Sequence, residues 1–264
     1  MKSATRRLRE VDLVSPYKRR KLFLSKVHKK ARLEWATTYK DWTPDDWMNV
    51  IFSDECLIWV GADSRRQGVI RPPGVALKER YLQPTFKSTR VTLMIWACFS
   101  GRGLGPILVL EQRRIGGLEY EEILYDGLLS FIDDLLAPPQ TLETICVEGE
   151  GSLLFMYDNA PCHNGDGIKV LLDEHHIPIM KWPAQSPDLN PIERLWLELK
   201  HNFRTRFHSL RLYPSRSYDS VEKYKHLLQE VWEEIGQEFI TTLIESMPRG
   251  CDDVIAAKGE HTKR

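Results

Sequence analysis

The stretch "RVTLMIWACFSG", residues 90–101, is almost unbroken apolar sequence rich in β-formers. A strand of that kind leaves neither face in water, so it must lie inside a sheet covered on both sides. Its neighbours fit that demand. "NVIFSDE" (49–55) is a compact apolar strand ending on two acids, and "CLIWVG" follows it with almost no gap. The pair is predicted to form adjacent hairpin strands. "GPILVLE" (105–111) is a further strand behind a glycine-rich turn, and residues 61–90, rich in Arg, Gly and Pro, read as a long excursion with one short strand.

Past Tyr120 the period changes. Ile123, Leu124, Leu128, Phe131, Ile132 and Leu135 recur at threes and fours, which predicts a helix of about 18 residues with one buried stripe. "SLLFMYDN" (152–159) is a strand, 166–175 a helix and "IPIMKWP" a short strand. Val221, Tyr224, Leu228, Val231, Trp232, Ile235, Phe239 and Leu243 mark one last long amphipathic helix. Near the N-terminus, residues 18–40 read as a long helix and Thr43-Pro44 as the start of a short one. Adjacent strands followed by strand–helix alternation give an α/β domain, a mixed sheet flanked by helices on both faces. At 264 residues the chain is long enough to bury a sizeable core. No apolar run reaches the length of a membrane span. Five scattered cysteines without a C-x-x-C pair argue against a disulfide framework or a zinc knuckle and fit a reducing compartment.

Two strands end on acids, "VIFSD" at Asp54 and "FMYD" at Asp158. A buried carboxylate at a strand end is costly unless something compensates it, and strand ends are where α/β folds place ligand sites. The plainer alternative is that each aspartate starts a turn. A third acid, Glu193, stands in "KWPAQSPDLNPIERLWLELK" (181–200), three residues after Asn190. Asn190 as N-cap and Pro191 as first helical residue would make Glu193 the closing member of a capping box, starting a helix to about Arg206. From this stretch alone, capping and chemistry both stay open.

Taken together and in this order, "FSDE", "DNAPCH" and "WPAQSPDLNPIERLW" closely resemble the catalytic domain of mariner-superfamily DDE transposases, with the 34-residue gap and final Glu of the nematode-type branch. The stretch from "VHKKARLEW" into "FSDE", and "IWACFSGRGLGPILVLE" with "YEEILYDGLL", extend the likeness over residues 18–245. The resemblance implies an RNase H-like fold with Asp54 on the first strand, Asp158 after the fourth and Glu193 on a helix. It implies that these three are catalytic and hold two Mg²⁺ ions, with Mn²⁺ as substitute, since carboxylates are hard oxygen ligands. Two ions about 3.5–4 Å apart clamp the attacking and leaving oxygens at a phosphodiester. Asn159, His163 and Asn190 are expected to brace these ligands or touch DNA. Glu55 should point to the opposite face of its strand. Cys162, lacking a second ligand pair, is not expected to bind metal, and Trp182 is expected to pack in the core. The implied activity is metal-dependent cleavage and strand transfer in cut-and-paste transposition. The implied partners are double-stranded DNA (transposon ends and target) and a second copy of the chain, in the nucleus and away from membranes. A truncated, non-catalytic DNA- or partner-binding derivative and a general RNase H-like nuclease are the rival readings.

A full-length transposase of this group opens with paired helix-turn-helix modules that read the terminal repeats. This chain leaves room for only the tail of that region. The expected division is a basic helical arm or linker (1–44), the catalytic domain (45–247) and a C-terminal tail (248–264). Residues 1–40 carry 13 Lys/Arg against three acids, while the whole chain is neutral. Such an arm either meets a polyanion or is a solvated helix face. Lys18, Arg19, Arg20, Lys21, Lys29 and Lys30 are its candidate DNA contacts. If they neutralise phosphates, deleting residues 1–21 will lower duplex affinity and flatten its dependence on salt; filter binding across a salt series measures both, and an unchanged slope assigns the arm to solvent.

Overall fold

The computed structural model describes residues 21–60, 91–110, 115–136, 153–207 and 217–262. Its frame is a four-stranded sheet in the order β3-β2-β1-β4, built from β1 (Val50–Val60), β2 (Val91–Ser100), β3 (Gly103–Leu110) and β4 (Leu154–Met156). β2 runs antiparallel to both β1 and β3, whereas β4 lies parallel to β1. The apolar run 90–101 thus becomes an interior strand, as its composition demands.

β1 is one continuous strand, not the two hairpin neighbours expected. No turn residue separates Glu55 from Cys56, and the ladder to β2 runs unbroken from Phe52↔Phe99 to Val60↔Val91. Its side chains alternate. Val50, Phe52, Cys56, Ile58 and Val60 enter one core, and Ile51 enters the other. The sheet therefore has two apolar faces, each roofed by helices.

The larger core lies under α1 (Lys26–Thr38), α2 (Pro44–Trp47), α6 (Ile192–Arg206), α7 (Tyr218–Glu233), α8 (Gln237–Glu245) and α9 (Met247–Ala256). The expected helix over 18–40 begins at Lys26, because Ser25 and His28 close a reciprocal cap there. The single long helix expected from Val221 to Leu243 is broken in two. Ile235 N donates back to Trp232 O, and Gly236 caps the next helix. Residues 247–256 then add a helix that buries Met247, Cys251 and Val254 and packs on α1.

The opposite face is covered by α3 (Gly117–Ile123), a π-helical stretch (Leu124–Leu129) and α4 (Ser130–Leu136) running on from one another, with α5 (Asp166–Glu174) beside them. The widened turn carries Gly127 against the indole of Trp96 on β2. "IPIMKWP" contributes one bridge, Phe155↔Ile179, instead of a strand. The excursion over 61–90 lies outside the described residues.

A Cβ on Gly127 would meet Trp96 at 2.4 Å, while one on Gly117 meets nothing within 4 Å. Gly127→Ala should therefore cost about 1–3 kcal/mol through overpacking. Gly117→Ala should cost nothing, and equilibrium urea unfolding of the two variants checks the contrast.

Candidate active site

The alternation of β1 puts Asp54 on the α6 side and Glu55 on the α3 side. Asp54 accepts two hydrogen bonds, from Glu55 N at 2.8 Å and, more weakly, from the indole Nε1 of the buried Trp196 at 3.4 Å. Its carboxyl is pushed up to about 8, by burial first and then by the charges of Glu55 and Glu193, with Asp158 adding a smaller share against the pull of the Glu55 amide. Asp54 thus lies within electrostatic reach of both Glu193 and, more weakly, Asp158.

Glu193 stands in the first turn of α6. Asn190 takes a capping role, its Oδ1 accepting from Ile192 N at 3.3 Å, but the expected box does not close. The Asn190 N–H donates to Pro187 O instead, so the Glu193 carboxylate is not spent on the helix end. Burial raises its pKa, and the charge of Lys200, two turns along α6, tempers the rise.

Asp158 lies two residues beyond β4. Its Oδ1 accepts from Ala160 N at 2.8 Å and faces His163 Nδ1 at 2.8 Å. Burial would raise this carboxyl, but the His163 bond, the Ala160 amide and the imidazolium charge outweigh it and hold it below the usual range. His163 is 2% exposed and stacks on Tyr120 with ring centroids 3.9 Å apart. Its Nε2 sits 3.3 Å from Glu55 Oε1. That is close enough for charge attraction but poorly aligned for a hydrogen bond, and neither atom has a hydrogen-bond partner. Burial would lower the imidazole pKa; its contacts with Asp158 and Glu55 win and hold it up at about 10. Glu55 does point away from Asp54, as strand geometry requires, yet it is tied into the cluster through His163.

Asn159 donates from Nδ2 to Trp182 O at 2.8 Å, and Asn190 donates from Nδ2 to Ser53 O at 3.3 Å. The first bond anchors the residue after Asp158, the second the residue before Asp54. Trp182 packs in the core, as expected, edge-on to Trp35. Of the basic candidates, Lys21 Nζ lies 3.5 Å from Thr262 O, Lys29 pairs with Glu260 at 2.6 Å and Lys30 with Glu34 at 3.6 Å. Lys18, Arg19 and Arg20 lie outside the described residues. Sequence reasoning missed Trp196, Glu55 as a partner of His163, and Lys200. Only Lys200 left a signal, two helical turns after Glu193 on the same face.

The all-oxygen donor set suits hard divalent cations. The raised Asp54 carboxyl marks an excess of negative charge that such a cation would relieve. Among the described residues, no group of three or more His, Cys, Asp or Glu side chains stands so as to close around a metal ion. Asp158, turned toward His163 and Ala160, would have to swing inward. A groove of about 690 Å³ between β3, α3 and α7 lies apart from these acids, lined by Leu108, Leu110, Glu122 and Glu222 among others.

A two-faced mixed sheet with β4 parallel to the interior β1 and helices on both faces is an RNase H-like fold. A family profile described as DDE superfamily endonuclease matches residues 118–211. The chain is 31% identical to the transposable element Tcb2 transposase of Caenorhabditis briggsae over 263 residues, covering 100% of this chain and 88% of that protein. It is also 31% identical to the Tc1 transposase of Caenorhabditis elegans, covering 99% and 87%. The fold matches the Mos1 transposase paired-end complex with left transposon end at a TM-score of 0.70 and 20% identity, over 98% of this chain and 70% of that one. The chain belongs to the Tc1/mariner family of DDE transposases, enzymes of cut-and-paste DNA transposition.

Asp54 keeps its proton to pH about 8 in the folded chain but only to the ordinary carboxylate range when unfolded. The folded state then binds more protons between those values, so this group makes stability fall as pH rises through the window. In EDTA, Asp54→Asn should flatten the fall in Tm between pH about 5 and about 8 and be the more stable protein at the upper end. Thermal melts across that series check it.

Proposed function

We propose that Asp54, Asp158 and Glu193 are the catalytic carboxylates of this transposase and its divalent-metal ligands. The observation that carries this reading is Asp54, a carboxyl at the centre of the sheet raised to about 8 by burial and by the acids that surround it. Ionising it there is costly unless a cation or a hydrogen-bonding partner compensates the charge, which a divalent ion would do. Solved structures of the Mos1 catalytic domain and paired-end complexes carry Mn or Mg, which supports Mg²⁺ with Mn²⁺ as substitute. When bound, a pair of such ions supplies Lewis-acid stabilisation of the attacking and leaving oxygens during in-line displacement at phosphorus.

The chain's own residues prepare that chemistry. Trp196 and the Glu55 amide fix the Asp54 carboxylate from two sides. His163, clamped by Glu55 and Tyr120, sets the resting position of Asp158 and lowers its proton affinity. Asn159 and Asn190 brace the backbone beside Asp158 and Asp54. No covalent protein nucleophile is needed: a water oxygen, and later a DNA 3′-oxygen, attacks phosphorus while the opposite P–O bond breaks.

The substrate is double-stranded DNA at the element's ends and at the target, acted on in the nucleus. The proposed assembly is a homodimer, one copy for each of the two transposon ends that are paired in the Mos1 complexes. Lys18, Arg19, Arg20, Lys21, Lys29 and Lys30 contact phosphates in this reading. The exposed pairs of Lys29 and Lys30 hold them only weakly, so phosphates can replace their partners. By role we keep the division into 1–44, 45–247 and 248–264, although α1 and α9 of the outer two segments pack into the same core as the middle one.

Glu193→Gln keeps shape and removes charge. It should lower Mg²⁺-dependent cleavage of a duplex bearing the element's terminal repeats by more than about a hundredfold, beyond what residues outside the ligand set cause, with Tm retained. Full cleavage by this variant would remove Glu193 from the site. His163→Gln should cost about 10- to 100-fold in the same assay.

A further inference from the structure

We propose that Arg32 of α1 is a positioning residue for the active site, acting through Asp188 on the loop that leads to Glu193. The inference rests on the reading of Asp54, Asp158 and Glu193 as metal ligands. Arg32 is fully buried, a rare state for arginine that demands a partner for every donor. Four of its five N–H donors are taken up: Nη1 and Nη2 donate to Asp188 Oδ1 and Oδ2 at 2.7 and 2.8 Å, Nε to Gly259 O at 3.0 Å and Nη2 also to Glu260 O at 3.2 Å. Asp188 Oδ2 also accepts from the amide and hydroxyl of Thr262, at 3.2 and 3.0 Å. Gly259 is required for this close approach; its φ is +80°, and a Cβ there would meet Lys29 O at 2.0 Å.

One turn on from Arg32, Trp35 packs edge-on to Trp182 with ring centroids 4.8 Å apart. One face of α1 therefore grips the 182–190 loop at both ends. That loop touches the backbone beside each acid: Trp182 O takes the Asn159 bond next to Asp158, Asn190 bonds Ser53 O next to Asp54, and Glu193 follows three residues later. The loop also holds Gln185 at a φ of 58°, a left-handed conformation that persists only where the surroundings over-determine it. None of these bonds involves a catalytic carboxylate. Their common effect is register: shifting the loop moves all three acids relative to one another. The bidentate fork fixes the loop in plane as well as in distance, which a lysine cannot do.

Two variants separate positioning from plain stability. Arg32→Lys keeps the charge and loses the fork. The double change Arg32→Met with Asp188→Leu replaces the buried pair by apolar groups, an exchange that often leaves stability intact. Each full-length variant is tested beside Glu193→Gln for single-turnover cleavage at saturating terminal-repeat duplex, for DNA affinity, and for Mn²⁺ binding by the loss of free-ion EPR signal. Hydrogen exchange of residues 182–192 is followed in parallel. The expected result is a cleavage rate per folded molecule down about 10- to 100-fold, the scale of an ångström-sized misplacement. Mn²⁺ binding weakens and the loop amides exchange faster, while DNA affinity holds. Unchanged cleavage per folded molecule and unchanged Mn²⁺ binding, whatever happens to Tm, overturn the proposal. Full cleavage and Mn²⁺ binding by Glu193→Gln would instead overturn the metal-ligand reading beneath it.

Discussion

The two-residue period of β1 is the constraint on which the rest of the molecule depends. It divides the strand's side chains between two cores and, at its middle, sends Asp54 toward α6 and Glu55 toward α3. A one-residue slip against β2 would exchange the two acids and every apolar neighbour with them. Such a slip is blocked on both faces, because Phe52 and Ile51 are each fully buried. The position of the central carboxylate is thus fixed by hydrophobic burial on either side of it. The sheet tolerates the charge because the adjacent groups are polar and matched to it.

The two faces handle charge differently. On the α6 side, Asp54 and Glu193 are raised by burial and have only an indole, an amide and the distant Lys200 to set against their repulsion. On the α3 side, Asp158 and Glu55 share His163, whose single positive charge offsets part of theirs. The α6 face has the more to gain from a cation, since the α3 face already holds an imidazolium. Asp158 stands at the boundary between them, held by His163 and the Ala160 amide.

Much of this was legible in the sequence. The apolar run at 90–101 dictated a doubly covered strand, and the burial of Trp182 followed from its apolar setting. What was not legible has physical causes. β1 read as two strands because its solvent-facing positions, Leu57 and Trp59, are large and apolar and so blur the alternation. The last helix read as unbroken because Ile235 and Phe239 keep the helical spacing across the break at Gly236. Trp196 and Arg32 looked like ordinary core and surface residues. Their partners, 142 and 156 positions away, are set by tertiary packing to which local periodicity is blind.

Arg32 shows how far such packing overrides a local reading. It stands in a helix whose lysines suggested a solvated or DNA-facing arm, yet solvent is wholly excluded from it. Removing one partner of a buried ion pair typically costs about 3–5 kcal/mol, whereas replacing both with apolar groups can be neutral. Stability alone therefore gives little reason for this pair over a hydrophobic contact. Direction does give one. A guanidinium in a bidentate bond accepts its carboxylate in one plane, so the pair selects a single placement of the loop among several that an apolar contact would permit. If Asp54, Asp158 and Glu193 act together as proposed, that selection keeps the loop between them in one register.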